Sequence, residues 1–183
     1  MKTLRIIAGI YKGRKLVNFN ADNIRPTSDM VKGAIFNKLQ NIAGLSFLDL
    51  FGGTGNVGYE ALSRGANPVY ICDNNANSVE IINKNNALFN NGAKVIKGDF
   101  LLVLENFSKN NVKFDIIFID PPYSKGFGIK SINKIKELKL LNDNGIIIYE
   151  HNKTDNLQCD GFNISGIKQY GIKEVVYLKG DND

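Results

Sequence analysis

The sequence predicts an α/β protein in which a mostly parallel β-sheet carries helices on both faces. Apolar stretches typical of buried strands alternate along the chain with stretches whose apolar residues recur at helical spacing. A glycine-rich turn follows the first of these strands, and two prolines end a later one. Because ligands bind such sheets at the carboxyl ends of the strands, these two places are the first candidates for a functional site.

Seven strands and five helices are predicted. The strands cover residues 45–50, 69–72, 93–97, 114–119, 145–150, 162–167 and 172–178. The helices cover residues 30–42, 59–64, 76–89, about 100–107 and 129–138. The last two strands flank Gly171 and should form an antiparallel hairpin. A turn is expected at residues 142–145, and a small hairpin over residues 4–17 with Gly13 at positive φ.

The composition is that of an ordinary globular protein. The 183 residues are 43% hydrophobic and 22% charged, which is enough to bury a sizeable core. We expect one domain over residues 1–183, with a basic extension over residues 1–20 and an α/β core over residues 21–183. Cys72 and Cys159 have no metal-binding or redox spacing, and no apolar run approaches the ~20 residues that span a bilayer. A charge within the apolar N-terminus argues against a signal peptide, so a cytoplasmic location is expected.

The net charge of +5 is concentrated near the N-terminus. Residues 1–40 contain eight of the 23 cationic and two of the 18 anionic side chains, which leaves 15 cations and 16 anions for the remainder. A basic segment on a neutral body is typical of polyanion binding, although a solvated basic face explains it equally well. The candidate polyanion contacts in this segment are Arg5, Lys12, Arg14, Lys15 and Arg25.

Three acids follow three successive strands beside the glycine turn. The turn lies between Asp49 and Gly58, where a ligand can approach the backbone near a helix N-terminus. Asp73 stands 18 residues after Gly55, a spacing that suits an acid accepting hydrogen bonds from ribose hydroxyls. Asp99 is the second of the three acids, and each of them alone could be a turn residue or a helix cap. Three at one sheet edge instead indicate a nucleotide-like ligand, although NAD-binding proteins share much of this pattern.

The third acid, Asp120, begins the segment Asp120-Pro121-Pro122-Tyr123. The prolines stop the preceding strand, since neither can donate to a sheet ladder. The turn therefore holds a carboxylate, free carbonyls and an aromatic ring at the carboxyl end of a strand. A proline-rich turn with a capping Asp would explain this segment if it stood alone. The following loop, residues 124–128, is glycine-rich and contains Lys125 and Phe127.

The glycine turn with Asp73 and Asp99 resembles that of class I methyltransferases that use S-adenosylmethionine. The segment 120–123 resembles the element of enzymes that methylate exocyclic amino nitrogens of bases. Six segments together resemble the RsmD family: Arg5–Gly9, Lys12–Leu16, Arg25–Asp29, Phe36–Asn37, Glu60–Arg64 and Asp120–Tyr123. The chain departs from that family at Asn75, where a second acid often follows the second strand, so the role of Asn75 in donor binding is open.

The resemblance implies a Rossmann-like class I methyltransferase fold with S-adenosylmethionine as the cofactor. It further implies methylation of the N2 amino group of one guanine in 16S rRNA, by a monomer acting on the small ribosomal subunit. The implied donor-binding residues are Asp49, Phe51, Gly52, Gly53, Thr54, Gly55, Asp73, Asn74, Asp99 and Phe100. The implied catalytic residues are Asp120, Pro121, Pro122 and Tyr123, and Lys125 joins the basic residues of the N-terminal segment as an RNA contact. The sequence has no Cys pair or His cluster that would suggest a metal.

Three other functions fit parts of this pattern. A DNA adenine-N6 methyltransferase shares elements of the Asp-Pro-Pro-Tyr type, although 183 residues contain no evident extra DNA-recognition domain. A non-catalytic RNA-binding protein with a remnant fold would not need Gly52, Gly55 and the acids. A nicotinamide oxidoreductase would need a hydride-relay His or a Tyr–Lys pair, and none stands out. The lone His151 is expected just past a strand, in a structural role.

Overall fold

The computed structural model of the chain describes residues 3–18, 28–122, 126–153, 157 and 160–180. The described helices are α1 (Asp29–Leu39), α2 (Asn56–Ser63), α3 (Ala76–Leu88), α4 (Phe100–Lys109) and α5 (Phe127–Glu137). The described strands are β1 (Phe47–Asp49), β2 (Val69–Asp73), β3 (Lys94–Lys97), β4 (Phe114–Ile119), β5 (Leu141–Asn152), β6 (Phe162–Tyr170) and β7 (Lys173–Gly180).

The predicted fold class is confirmed. Seven strands form a mixed sheet in the order β3-β2-β1-β4-β5-β7-β6. Strand β2 pairs in parallel with β1 and β3, and β4 pairs in parallel with β5. The C-terminal hairpin is antiparallel: β7 pairs with β6 on one side and β5 on the other, and Gly171 lies between the hairpin strands at a φ of 65°.

The chain divides into two compact units, residues 1–98 and 99–183. In the first unit, every residue of β1 is buried, as expected for a strand of a parallel sheet. Apolar side chains with no exposed surface make its core: Ile6, Ile35, Phe47, Leu48, Tyr59, Ile71 and Ile82. The second unit is built around β4, β5 and β7, whose fully buried residues include Phe114, Ile117, Ile119, Ile147, Ile148, Val175, Val176, Tyr177 and Leu178.

Strand β5 corrects the turn that was predicted at residues 142–145. Those residues belong to the strand, which runs from Leu141 to Asn152. They form a bulge, because Leu141 pairs with Phe114 while Ile146 pairs with Ile116. The bulge is fastened by Asn142, whose side-chain amide donates to the Asp115 carboxylate at 2.8 Å. The predicted turn is therefore wrong, and these turn-forming residue types mark a bulge within the strand.

Helices α2 and α5 begin two or three residues earlier than predicted, and a glycine explains each start. Helix α2 begins at Asn56 instead of residue 59, directly after Gly55 at a φ of 80°. Helix α5 begins at Phe127 instead of residue 129, directly after Gly126 at a φ of 63°. A glycine in the left-handed region lets the chain enter a helix abruptly from a tight turn.

The N-terminal hairpin is reduced to a single antiparallel bridge between Arg5 and Lys15. The Leu16 N–H donates to the Leu4 carbonyl and the Ile6 N–H to the Arg14 carbonyl, each at 2.9 Å, but no strand develops. Gly13 has the predicted positive φ, 85°. The connecting loop is longer than expected because its backbone bonds to helix α2 instead of to a partner strand, as described below.

His151 lies within β5, which corrects its predicted position just past a strand. The imidazole is buried and stacks on the Tyr149 ring at a centroid distance of 4.9 Å. Its Nε2 lies 3.4 Å from Glu174 on the paired strand β7.

Among the described residues, none of the helices has the length and apolarity that crossing a bilayer requires.

Candidate functional site

The glycine turn joins β1 to α2 in the first unit. The Gly52 N–H donates to the Cys72 carbonyl at 2.7 Å, and the Gly55 N–H donates to the Gly52 carbonyl at the same distance. A Cβ atom at Gly52 would lie 2.5 Å from the Ile71 side chain. This distance is too short for any residue other than glycine. Gly53, at a φ of 59°, has open space beside it. The turn therefore packs against β2 at Gly52, and its backbone at Gly53 is uncovered. Phe51 and Thr54 belong to the same turn, and Thr54 is buried.

Asp73, at the end of β2, bonds directly to this turn. Its Oδ2 accepts the Gly53 N–H at 2.9 Å, and its Oδ1 accepts the Asn75 N–H at 2.8 Å. The sequence-predicted acid and the sequence-predicted turn are thus brought together. Asn74 follows Asp73 and is exposed. Each carboxylate oxygen still has a free lone pair after one backbone bond, so the group retains acceptors for a ligand hydroxyl.

Asn75, where the RsmD family often has a second acid, is the N-cap of helix α3. Its side-chain oxygen caps helix α3, accepting the Asn77 and Ser78 N–H groups at 2.8 and 3.2 Å. Asn is as good an N-cap residue as Asp, so the departure from the family pattern preserves the helix start. The structure gives Asn75 a structural role.

Asp49 is a buried carboxylate at the base of the turn. Its Oδ2 accepts the Gly58 N–H at 3.0 Å, from the first turns of α2. Its Oδ1 has no hydrogen-bond partner among the described residues. Burial raises the pKa of Asp49 to about 7, a rise to which the nearby Asp73 also contributes and which the Gly58 bond opposes. An unpaired buried oxygen that ionises near neutrality favours a ligand carrying positive charge.

Asp99 and Phe100 lie in the second unit, at the start of α4. Asp99 is the N-cap: its Oδ1 accepts the Leu101 N–H at 2.9 Å. The carboxylate remains exposed. Phe100 is buried and its ring lies 5.2 Å, between centroids, from the ring of Phe127 at the start of α5. Phe127, which was expected on the glycine-rich loop of residues 124–128, is thus the first residue of α5 and packs against Phe100.

The Asp120-Pro-Pro segment ends β4 as predicted. Asp120 is partly buried, Pro121 is buried and Pro122 is exposed, directly after the last strand residue, Ile119. Tyr123 and Lys125 lie outside the described residues.

The predicted RNA contacts of the N-terminal segment have different surroundings. Arg5 is 62% exposed and pairs with Asp29 at 3.4 Å. The Arg14 guanidinium lies over the rings of Tyr11 and Phe89, at 4.8 and 5.6 Å from their centroids. Arg14 also donates to the Leu88 carbonyl. Lys12 and Lys15 are exposed, whereas Arg25 lies outside the described residues.

Sequence reasoning missed Lys32 and Glu60, a buried pair that fastens the N-terminal segment. Neither side chain is exposed, and Lys32 Nζ lies 3.4 Å from Glu60 Oε2. The Lys32 ammonium donates to the Arg5 carbonyl at 2.6 Å. The Glu60 carboxylate accepts the backbone N–H groups of Ile7 and Ala8 at 2.8 and 3.0 Å. The available signal was a Lys and a Glu at positions expected to be apolar on otherwise amphipathic helices.

These residues fit a nucleoside-like ligand with a positive charge. Gly53 lies in the glycine turn, Asp73 at the end of β2 accepts its N–H, and Asp49 with its unpaired oxygen ends the strand before the turn. All three belong to the first unit. No cluster of three or more His, Cys, Asp or Glu residues able to hold a metal ion occurs in the described part of the chain.

Comparison with known proteins places the chain in a family. The model of the family described as Conserved hypothetical protein 95 matches residues 4–179. Ribosomal RNA small subunit methyltransferase D of Haemophilus influenzae is 35% identical over 154 residues, covering 82% of this chain and 79% of that protein. The protein of the same name from Escherichia coli strain K12 is 32% identical over 176 residues, covering 95% and 87%.

Solved structures agree. The yhhF protein of Escherichia coli has a TM-score of 0.86 at 27% identity, with both chains fully covered. HI0767 of Haemophilus influenzae has a TM-score of 0.80 at 29% identity, covering 98% of this chain and 99% of its own. SMU.776, solved in complex with SAH, has a TM-score of 0.68 at 19% identity and shows the shared fold over 82% of this chain and 48% of its own. The chain belongs to the RsmD family, as the resemblance of its six segments predicted.

Proposed function

We propose that this chain is an S-adenosylmethionine-dependent methyltransferase that methylates the N2 amino group of a guanine in 16S rRNA of the small ribosomal subunit. Membership of the RsmD family and the names of its relatives support rRNA methylation. The observation that carries the donor half is the Gly53–Asp73 hydrogen bond beside the buried, unpaired Asp49 oxygen. When bound, the donor supplies a methyl group whose bond to sulfur breaks, leaving a neutral thioether, as a bond to nitrogen forms, and the amine passes a proton to Asp120 or to water.

The glycine turn and its acids hold the donor. The backbone of residues 52–55 allows close approach, since Gly53 presents open space. Asp73 accepts hydrogen bonds from the ribose hydroxyls with the lone pairs that its two backbone partners leave. Asp49, when ionised, attracts the positive charge of the donor through the low-dielectric base of the turn. Phe51, Thr54 and Asn74 line the same donor-binding site.

Asp99 and Phe100 recognise the adenine ring in this proposal. One Asp99 oxygen caps α4, and the exposed position of the carboxylate allows the other to accept an amino N–H. The Phe100 ring, held against Phe127, offers an apolar surface to a base.

Asp120 and the Pro121 carbonyl orient the target amine. The lone pair of a guanine amino group is delocalised into the ring, so the group must be held and its developing positive charge stabilised. Hydrogen bonds from its two N–H groups to the Asp120 carboxylate and the Pro121 carbonyl do both. Pro122 stiffens the turn and Tyr123 stacks on the extruded base.

The basic N-terminal segment contacts the phosphates of the RNA. Lys12 and Lys15 are exposed and suit this role best, whereas Arg14 divides its guanidinium between two rings and a carbonyl. Arg5 and Arg25 are further proposed phosphate contacts in this segment, and Lys125 is one elsewhere in the chain. We further propose that the enzyme acts as a monomer in the cytoplasm, on assembled or assembling small subunits.

Transfer of radiolabelled methyl groups tests the proposal. The purified chain is incubated with labelled S-adenosylmethionine and, in separate reactions, unmodified small subunits, free 16S rRNA and plasmid DNA. Label in 16S rRNA, greatest in small subunits, is the expected result. Label in plasmid DNA alone would identify a DNA methyltransferase, and donor binding without any transfer would indicate a non-catalytic protein.

A further inference from the structure

Asn85 is a buried amide on helix α3 that bonds to two distant segments at once. Its side chain has no exposed surface. The Nδ2 group donates to the Thr54 carbonyl at 2.9 Å and to the Val17 carbonyl at 3.0 Å. The Oδ1 atom accepts the Val17 N–H at 2.7 Å. The Nδ2 group thus donates two hydrogen bonds and the Oδ1 atom accepts one.

The two segments that Asn85 joins are the glycine turn and, at Val17, the basic extension of residues 1–20. Thr54 lies between the two glycines of the turn that have positive φ, Gly53 and Gly55. Its carbonyl is an acceptor that the turn itself leaves unused, because the turn closes through the Gly55 N–H and the Gly52 carbonyl. Burial without a partner would cost about 1–3 kcal/mol, so the Asn85 donor specifies the orientation of this peptide.

A second buried contact joins the same two segments on the other side of the turn. Lys32 Nζ donates at 2.6 Å both to the Arg5 carbonyl and to Oδ1 of Asn56. Asn56 is the first residue of α2, directly after Gly55. The N-terminal segment is thus fastened to both flanks of the glycine turn, through residues that are buried and polar.

We infer that Asn85 is a positioning residue for the methyl donor, which fixes the Thr54 peptide of the donor turn and couples the turn to the basic segment through Val17. The inference rests on the proposed function, because it takes the glycine turn as the seat of the donor. A turn held at Thr54 presents the Gly53 backbone in one orientation, and a donor then binds without first ordering the turn. A donor bound to the turn should stabilise the Asn85–Thr54 hydrogen bond and, through the same amide, reduce opening at Val17.

The adjacent residue, Asn86, provides a matched control. It is also a buried Asn of α3, and it also clamps one distant residue by both its N–H and its carbonyl. Its Nδ2 donates to the Ala93 carbonyl at 2.9 Å and its Oδ1 accepts the Ala93 N–H at 3.1 Å. Ala93 precedes β3 and belongs to neither the turn nor the basic segment. Replacing either Asn by Asp keeps the Oδ1 acceptor. It replaces the Nδ2 donor by an oxygen, which then faces the carbonyl oxygens that Nδ2 had bonded.

Donor affinity of Asn85→Asp and Asn86→Asp, measured by calorimetric titration with S-adenosylmethionine, tests the inference at a temperature where urea unfolding shows both variants folded. Asn85→Asp loses both Nδ2 hydrogen bonds, and loss of the one that reaches the turn, at the Thr54 carbonyl, should weaken donor binding about tenfold, or about 1.4 kcal/mol. Its kcat at saturating donor should remain within about twofold of the unsubstituted chain, since the reacting groups are untouched. Asn86→Asp should keep the donor affinity of the unsubstituted chain.

Equal donor affinities for the two variants would overturn the inference. If the unsubstituted chain bound no donor, the proposed function would fall instead, and the inference with it. If Asn85→Asp did not fold, hydrogen exchange of the unsubstituted chain decides. Donor addition should slow exchange of the Val17 amide several-fold more than that of the Ala93 amide, because both donate to an Asn Oδ1 but only one Asn contacts the turn. Equal slowing would also overturn the inference.

Discussion

Asp49 combines three properties that rarely meet in one side chain. It is 1% exposed, it has one oxygen without a partner among the described residues, and burial raises its pKa from 3.8 to about 7. Between those two pH values the folded chain binds a proton that the unfolded chain has lost. The stabilising contribution of protonated Asp49 is therefore complete below about pH 4 and is lost as the pH rises through about 7.

Asp49→Asn should remove this pH dependence. Since one pKa unit corresponds to about 1.4 kcal/mol, the unsubstituted chain should lose up to about 4 kcal/mol relative to the variant between pH 4 and pH 8. Urea unfolding at several pH values measures the difference. Asp143→Asn, at an exposed position of the β5 bulge, is the control and should leave the pH dependence unchanged. Parallel pH profiles for Asp49→Asn and the unsubstituted chain would show that the Asp49 pKa is not raised.

Asp120 separates catalysis from donor binding in this account. Asp120→Ala should lower methyl transfer by about 10²–10³-fold, the usual effect of removing one group that stabilises developing charge. Its affinity for S-adenosylmethionine should stay within about twofold, because the donor is held by the glycine turn. Single-turnover transfer and calorimetric titration measure the two quantities. If donor affinity fell as much as transfer, Asp120 would belong to the donor site instead.

The N-terminal segment is held by contacts to helix α2 instead of by the hydrogen bonds of a β-ladder. Gly9 approaches α2 so closely that a Cβ there would lie 1.9 Å from the Ser63 carbonyl oxygen. The Ile10 N–H donates to that same carbonyl at 2.8 Å, and Ser63 Oγ donates to the Ala8 carbonyl at 2.6 Å. With Glu60 accepting two further backbone N–H groups, α2 satisfies the segment that a partner strand would otherwise pair.

Gly9→Ala and Gly13→Ala separate this contact from backbone strain. The two glycines have nearly the same φ, 83° and 85°, but a Cβ at Gly13 would meet nothing within 4 Å. Gly13→Ala should therefore cost only the left-handed strain of about 1–2 kcal/mol. Gly9→Ala should cost at least about 2 kcal/mol more in urea unfolding, because the segment must leave α2. Equal losses would mean that the segment is not packed against Ser63.

Much of this architecture could be predicted from local patterns, and the failures have a common cause. The strand at residues 114–119 and the glycine turn between β1 and α2 are signalled by neighbouring residues, and the structure confirms both elements. The N-terminal clamp is not, since Lys32 and Glu60 find each other only in the folded chain. The same holds for the β5 bulge, where residues 142–145 look like a turn until the pairing with β4 is known. Long-range contacts decide these elements, and a single sequence does not display them.

The charge of the molecule is divided unevenly, and the proposal uses that division. Residues 1–40 hold eight of the 23 cationic side chains and only two of the 18 anionic ones. Arg5 and Lys32 within this segment already pair with acids. The exposed Lys12 and Lys15 have no such partner among the described residues, so their charge acts on solvent and on any polyanion nearby.

Lys12→Glu combined with Lys15→Glu should weaken binding to 16S rRNA and flatten its salt dependence. If each lysine contacts one phosphate, the slope of log affinity against log salt should decrease by about 1–2. Lys109→Glu with Lys113→Glu makes the same change in net charge at two exposed positions near the end of α4 and is the control. Filter binding over a range of salt concentrations measures both. Equal effects of the two pairs would assign RNA affinity to net charge rather than to the N-terminal segment.

Mass mapping of the methylated nucleotide tests the central claim most directly. Small subunits that lack the modification are incubated with the chain and S-adenosylmethionine, and the 16S rRNA is then digested and its fragments analysed. We predict one added methyl group per 16S rRNA, on the N2 amino group of a single guanine, formed at least about 100-fold more slowly with Asp120→Ala. A methyl group on another atom or base, or methylation by Asp120→Ala at the rate of the unsubstituted chain, would contradict this claim.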